Sequence, residues 1–197
     1  MYSCITGARL SSQNQQRKNK GEESIPTYIA FLRGINVGGN TMVSMKDLAA
    51  MCTHIGFENV RTYLNSGNII FTSPLTEKVL QQALEKELSA RTGKDIGVVI
   101  RSSGDLEQIV LDNPFPEAVP SQIGILLVMT PISKKVMAEF IITAREKIVP
   151  GKREVYIHYP DSMGRSNLKA PPSLRDGTMR NINTLSGLVS LIAKNQG

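Results

Sequence analysis

Asn59-Val-Arg-Thr-Tyr-Leu-Asn-Ser-Gly-Asn-Ile-Ile-Phe-Thr72 decides the fold. Two β-rich segments, Asn59–Leu64 and Asn68–Thr72, are joined by Asn65, Ser66 and Gly67, and such a junction predicts a hairpin. Working outward, each strand is flanked by a helix. Upstream, Ser44 offers an N-cap with Asp47 three residues on, and Met45, Leu48, Ala49, Cys52 and Ile55 recur at helical spacing until Gly56. Downstream, a second helix starts near Pro74, buries Val79, Leu80, Ala83, Leu84 and Leu88, and ends at Gly93. A strand from Thr27 to Leu32 precedes the first helix, and another, Ile96 to Ile100, follows the second. The order strand, helix, strand, strand, helix, strand is the split βαβ or ferredoxin-like arrangement.

Beyond residue 101 the pattern predicts a short helix from Ser103 to Leu111 and a proline-containing connection from Asn113 to Pro120. A strand from Ile123 to Met129, a helix from Ser133 to about Arg145 and a strand from Val155 to Tyr159 follow. Residues 160–180 read as a long ordered loop, and Asn183 or Thr184 can cap a last helix reaching Lys194. The expected fold class is therefore α+β: a ferredoxin-like split βαβ N-terminal half over residues 27–101, with a smaller α+β C-terminal half over 102–197 packed on it. Residues 1–26, rich in Ser, Gln, Asn and Lys, carry too little apolar surface to offset the entropy of ordering and are expected to form a disordered leader.

Several chemistries are excluded at once. Cys4 and Cys52 are far apart, one in the polar leader and one at helical core spacing, so no disulfide framework is expected. His54 and His158 are the only histidines, too few to close a tetrahedral zinc site with these cysteines. No apolar run approaches the roughly 20 residues that span a bilayer, and the start lacks a secretory signal; a cytoplasmic, non-membrane protein is expected. The formal charge of +6 is uneven, with residues 1–26 at +2, 27–144 at −1 and 145–197 at +5. A basic last quarter, rather than a basic surface throughout, is what an acidic ligand or nucleic acid would meet.

Four motifs occur in order: Phe31-Leu-Arg-Gly-Ile-Asn-Val-Gly-Gly39, Val60-Arg-Thr-Tyr-Leu-Asn-Ser-Gly-Asn68, Gly164-Arg-Ser-Asn-Leu168 and Thr178-Met-Arg-Asn-Ile-Asn-Thr184. With these motifs, residues 27–197 resemble the bacterial domain-of-unknown-function family numbered 1697. The resemblance implies a two-part α+β fold with a ferredoxin-like half and brings no activity, substrate, cofactor or catalytic residue.

The motifs themselves point toward anions. Gly34-Ile-Asn-Val-Gly-Gly-Asn-Thr41 lies between strand and helix like a phosphate-binding loop, but the P-loop lysine is missing, which removes the charge partner of the β/γ-phosphates. It remains either a tight turn or a non-hydrolytic backbone anion site. Arg61, Tyr63 and Asn65 alternate with Val60, Thr62 and Leu64 and so share one sheet face. That face either meets ligand or is covered by the second half. Arg165, Ser166, Lys169, Arg180, Asn181 and Thr184 lie in the basic quarter, the last two near a helix N-terminus. They bind an anion or tie the loop to the body through carbonyls and acids such as Asp161 and Asp176.

The expectation is a small phosphate- or carboxylate-bearing ligand in a polar cleft between the halves, contacted by Arg33, Asn36, Arg61, Asn65, Arg165, Ser166, Arg180, Asn181 and Thr184, without cofactor or metal. Two alternatives stay open: sequence-tolerant nucleic-acid binding through the basic C-terminal quarter, and an enzyme of unknown reaction using the same cleft. The enzyme requires a titratable base near the site, and no Gly-x-Ser-x-Gly elbow or histidine pairing supplies one in sequence.

Overall fold

The computed structural model describes residues 25–36, 43–143 and 145–194. The leader expected over residues 1–26 falls almost wholly outside them. β1 (Thr27–Leu32), α1 (Met45–His54), β2 (Glu58–Tyr63), β3 (Asn68–Thr72), α2 (Glu77–Thr92) and β4 (Val98–Ser102) follow the expected order. Their sheet runs β2-β3-β1-β4 with every neighbour antiparallel, which is the split βαβ topology. Ser44 caps α1 by accepting from the Asp47 N–H at 3.0 Å. Gly93, at φ 67°, ends α2. α2 buries Leu80, Leu84 and Leu88, whereas Val79 is 46% exposed; the apolar stripe is narrower than its sequence suggests.

The second half continues with α3 (Ser103–Leu111), β5 (Ile123–Leu127), α4 (Lys134–Ala138), β6 (Lys147–Pro150), β7 (Glu154–His158), β8 (Thr178–Asn181) and α5 (Ile182–Ala193). Three departures from the sequence reading have physical causes. α4 stops at Ala138, and Ile141 instead forms a β-bridge with Lys169, in keeping with the β-branched run Ile141-Ile-Thr143. The resulting connection frees Lys147–Pro150 to pair with β7 as an unforeseen edge strand, where the terminal proline is tolerated. The loop of 160–180 ends early, because Thr178–Asn181 pairs with β5. That strand leads straight into α5, so the cap is Asn181, accepting from Asn183 N–H at 2.9 Å, and not Asn183 or Thr184.

These additions give the second sheet the order β6-β7-β5-β8, strand for strand the order of the first. α1 and α2 cover one face of the first sheet through Leu48, Cys52, Leu80, Leu84 and Leu88. The other face shares a core with α3, α5 and one face of the second sheet: Ile29, Phe31, Val99, Leu106, Ile125, Leu127, Leu185 and Leu188 are all buried together. The second sheet's outer face packs Val155 and Ile157 against Phe140, Tyr159 and Leu174.

Two buried arginines join the halves reciprocally. Arg101 stands opposite Ile29 in the first sheet, and Arg180 stands opposite Ile125 in the second. Arg180 Nη2 donates to Leu32 O at 2.7 Å and Ser66 O at 2.8 Å, at the end of β1 and in the β2–β3 turn. Arg101 Nη2 donates to Val128 O at 2.6 Å and Arg153 O at 2.7 Å, at the end of β5 and in the β6–β7 turn. Each also donates through Nη1 to the carbonyl of its own preceding residue, Met179 and Ile100. Burial pushes both guanidinium pKa values down to about 10, so both remain charged at neutral pH. Arg153 adds a more exposed clamp, its guanidinium bonding Glu77 and Asp105.

Two predictions test this packing. Arg180→Met leaves several buried carbonyls without donors, each costing roughly 1–3 kcal/mol, and is expected to lower stability by at least about 3 kcal/mol in urea unfolding. Arg153→Ala, which breaks partly exposed pairs, is expected to cost only about 1 kcal/mol. Cys52 is fully buried and its thiol is pushed up to about 12 by burial. Native protein at pH 8 is therefore expected to resist alkylation at Cys52, measured by peptide mass mapping, until denaturant opens the core.

Candidate functional site

The chain leaves β1 at Leu32 and turns sharply. Arg33 N–H donates to Gly97 O at 2.9 Å, Gly34 takes φ 64°, and Asn36 takes φ 55°. Asn36 acts as a clasp: its side-chain amide donates to Val43 O at 2.9 Å and Asn65 O at 3.1 Å, while its oxygen accepts from Val43 N–H. Asn36 and the Asn65 carbonyl thus fix the turn after β1 against the β2–β3 turn. Gly67 in that turn has φ 74°, and a Cβ there would lie 2.6 Å from Ile35, so no other residue fits. Of the loop over residues 34–41, read from sequence as a tight turn or a backbone anion site, residues 37–41 lie outside the described residues.

Arg33 and Arg180 do come together. They line a cleft of about 510 Å³ where the first half's turn meets residues 170–180, with Arg175, Leu126, Pro172 and Met179 as further walls. Among the described residues, three arginines and no carboxylate line it. Arg33 and Arg175 are exposed, and Arg175 has only the largely exposed Asp176 beside it at 3.8 Å, a contact that screening leaves weak. Arg180 is different. Its Nε donates to Asn68 Oδ1 at 2.6 Å and its Nη1 to Thr178 Oγ1 at 2.7 Å, besides the carbonyls already described. All its donor nitrogens are spent on protein, so it contributes charge to the wall rather than a free hydrogen bond.

The other expected residues are dispersed. Arg61 stands opposite Ile70 on the sheet face turned to α5, and lines a separate cavity of about 300 Å³ with Asn59 and Ile192. α5 covers this face closely: a Cβ at Gly187 would lie 2.2 Å from Tyr63 Oη. A base-stacking platform open to nucleic acid is therefore not offered there. Asn181 is occupied as the cap of α5 and donates to Ser121 O at 3.0 Å. Thr184 sits half-buried in the first turn of α5.

Arg165 and Ser166 line a third pocket, of about 110 Å³, between residues 143–146 and 159–167. Ser166 Oγ donates to Glu146 Oε1 at 2.5 Å and accepts from Leu168 N–H at 3.1 Å. Glu146 is only 8% exposed. Asp161, one of the acids to which the sequence offered Arg165 and Arg180 as ties, bonds Arg145 at 2.9 Å. Glu146 lies outside every motif read from the sequence, and it meets the 159–167 segment only once β6 has paired with β7 and Ile141 has bridged Lys169. His54 is exposed at the end of α1, and His158 tilts against Phe115 at 5.6 Å. Among the described residues no cluster of three metal-ligating side chains exists, and no helix is long and apolar enough to cross a membrane.

With this geometry established, the relatives can be placed. No curated protein matches the chain. The solved structure of the conserved bacterial protein SP0830 from Streptococcus pneumoniae is similar at 25% identity, covering 85% of this chain and 98% of its own, with a TM-score of 0.71. It shares the mixed α+β fold of two four-stranded antiparallel sheets. The profile of the DUF1697 family, described as protein of unknown function, matches residues 25–156, ending within β7 and before the last two motifs. Matching two thirds of its length, the chain belongs to the DUF1697 family of proteins of unknown function.

Proposed function

We propose that this protein binds a small anionic ligand, bearing phosphate or carboxylate, in the cleft of about 510 Å³ between its halves, and that it does so in the cytoplasm. The observation that carries the reading is the lining: Arg33, Arg175 and Arg180 converge from both halves with no acid among them. Such a concave site of one charge sign raises the local concentration of an oppositely charged ligand. Arg33 and Arg175 supply exposed guanidinium groups suited to bidentate contact with carboxylate or phosphate. Arg180, already bound, holds the walls together and adds a fixed positive field. Leu126, Pro172 and Met179 offer an apolar side for the body of the ligand. Of the residues expected from sequence, Arg33 and Arg180 belong to this cleft; Asn36 and Asn65 brace its rim, and Arg61, Arg165, Ser166, Asn181 and Thr184 lie elsewhere.

Thermal unfolding in the presence of inorganic phosphate, nucleoside monophosphates, citrate and a short oligonucleotide tests the proposal. A ligand at 100 times its Kd adds about 2.7 kcal/mol, an expected rise in Tm of roughly 5–10 °C for a chain of this size. The rise is expected to disappear in Arg33→Ala/Arg175→Ala while the ligand-free Tm stays within a few degrees. An equal rise in the double variant overturns the cleft assignment. Stabilisation by oligonucleotide alone, falling steeply with salt through counterion release, favours nucleic-acid binding by the basic quarter instead.

A further inference from the structure

The pocket around Ser166 meets a condition that the anion cleft does not: it holds a buried titratable base hydrogen-bonded to a hydroxyl. Ser166 Oγ donates to Glu146 Oε1 at 2.5 Å, and Glu146 is 8% exposed. A serine within hydrogen-bond reach of a base is the arrangement that activates an oxygen nucleophile. Arg165 lies on the wall of the same pocket. Arg145, on the same wall, pairs with Asp161 at 2.9 Å, whereas Arg165 is a second exposed cation of the pocket. Tyr159, also on the wall, is buried; burial first, and the negative charge of Glu146 second, push its phenol up to about 12. It is thus a neutral hydroxyl at working pH.

We infer that this pocket is a second site, a serine–glutamate dyad competent for acyl transfer from a small carboxylic ester. Ser166 Oγ attacks the acyl carbon, and its proton passes to Glu146. Arg165 supplies positive charge beside the oxyanion of the tetrahedral intermediate. The carbon–oxygen bond to the alcohol breaks, and the departing alkoxide takes the proton back from Glu146. Water then attacks the acyl-serine, Glu146 accepts its proton and returns it to Ser166 Oγ, and the carboxylic acid leaves. The cavity of about 110 Å³, well below the ~300–1,000 Å³ of drug-sized sites, restricts the acyl group to a few heavy atoms. This inference is independent of the anion cleft, with which the pocket shares no lining residue.

A small alkyl fluorophosphonate is the direct probe, since attack by a serine oxygen forms a P–O bond and expels fluoride. The full chain is incubated with excess probe, digested and mapped by mass spectrometry. Ser173 is exposed in the same loop but outside the pocket, and serves as the internal reference. Ser166 is expected to label about 100-fold faster than Ser173, within the ~10²–10⁴ that a positioned general base contributes. Glu146→Gln is expected to erase that advantage while Ser173 labelling is unchanged, and Ser166→Ala to remove the adduct. Wild-type protein whose Ser166 labels no faster than Ser173 overturns the inference, whatever the variants do. So does a folded Glu146→Gln protein that labels at the wild-type rate; the Glu146–Ser166 bond then only pins the loop.

Discussion

Two buried guanidinium groups, each reaching from the last strand of one sheet into the carbonyls of the other, are the constraint on which the architecture depends. The end of β1 and the β2–β3 turn present inward carbonyls at Leu32 and Ser66, and the end of β5 and the β6–β7 turn present Val128 and Arg153. Arg153 O also accepts from the Val128 N–H at 3.0 Å, but the guanidinium donors meet the acceptor capacity the sheets leave over, and a buried acceptor left without a donor is costly. Arginine meets the need because its planar fork addresses several acceptors at once. Each half thus depends on a side chain of the other, and the shared apolar core of α3 and α5 forms around that exchange.

The exchange is nearly symmetric, and the place where it fails shapes the surface. Asn68 stands opposite Phe31, and Glu154 stands opposite Leu127 at the corresponding position. Asn68 turns its oxygen to Arg180 Nε. Glu154 instead spends its carboxylate on the N–H groups of Lys152 and Arg153 in its own turn, and Arg101 Nε has no partner. Around Arg101, acids gather: Asp105, Asp112 and Glu154 line a cavity of only about 40 Å³, and Arg153 is drawn into ion pairs with Glu77 and Asp105. Around Arg180, the counter-charge is a neutral amide, so positive potential is left unbalanced and faces an open cleft. One topology used twice therefore produces a closed, charge-neutralised end and an open, basic one.

How much of this was legible in sequence depended on range. The first sheet was readable because its signals are local: a cap at Ser44, a helix stop at Gly93 and an obligatory glycine at position 67. β6 and β8 were not, for different reasons. Lys147–Pro150 is too short to alternate visibly and becomes a strand only by pairing with β7. Thr178–Asn181 reads as polar loop because its buried residues are Thr178 and Arg180, and a charged residue inside a strand looks buried only when its acceptors, more than 100 positions away, are in view.

Hydrogen-bonding capacity separates the motif residues that act on structure from those whose side chains stay exposed. Residue type did not distinguish Arg180 from Arg33, nor Asn181 from Ser166, since each is polar and sits in a shared motif. What distinguishes them is how much of their hydrogen-bonding capacity the fold consumes. Arg180, Asn36 and Asn181 spend theirs on backbone groups, so evolution of a ligand contact there would have to break the fold. Arg33 and Arg175 remain exposed at the cleft. Ser166 is an intermediate case, because its partner is a buried carboxylate rather than a carbonyl, and a carboxylate can take a proton that a carbonyl cannot. A hydroxyl bonded to a proton acceptor retains chemistry after folding, and this sets Ser166 apart from Arg180, Asn36 and Asn181.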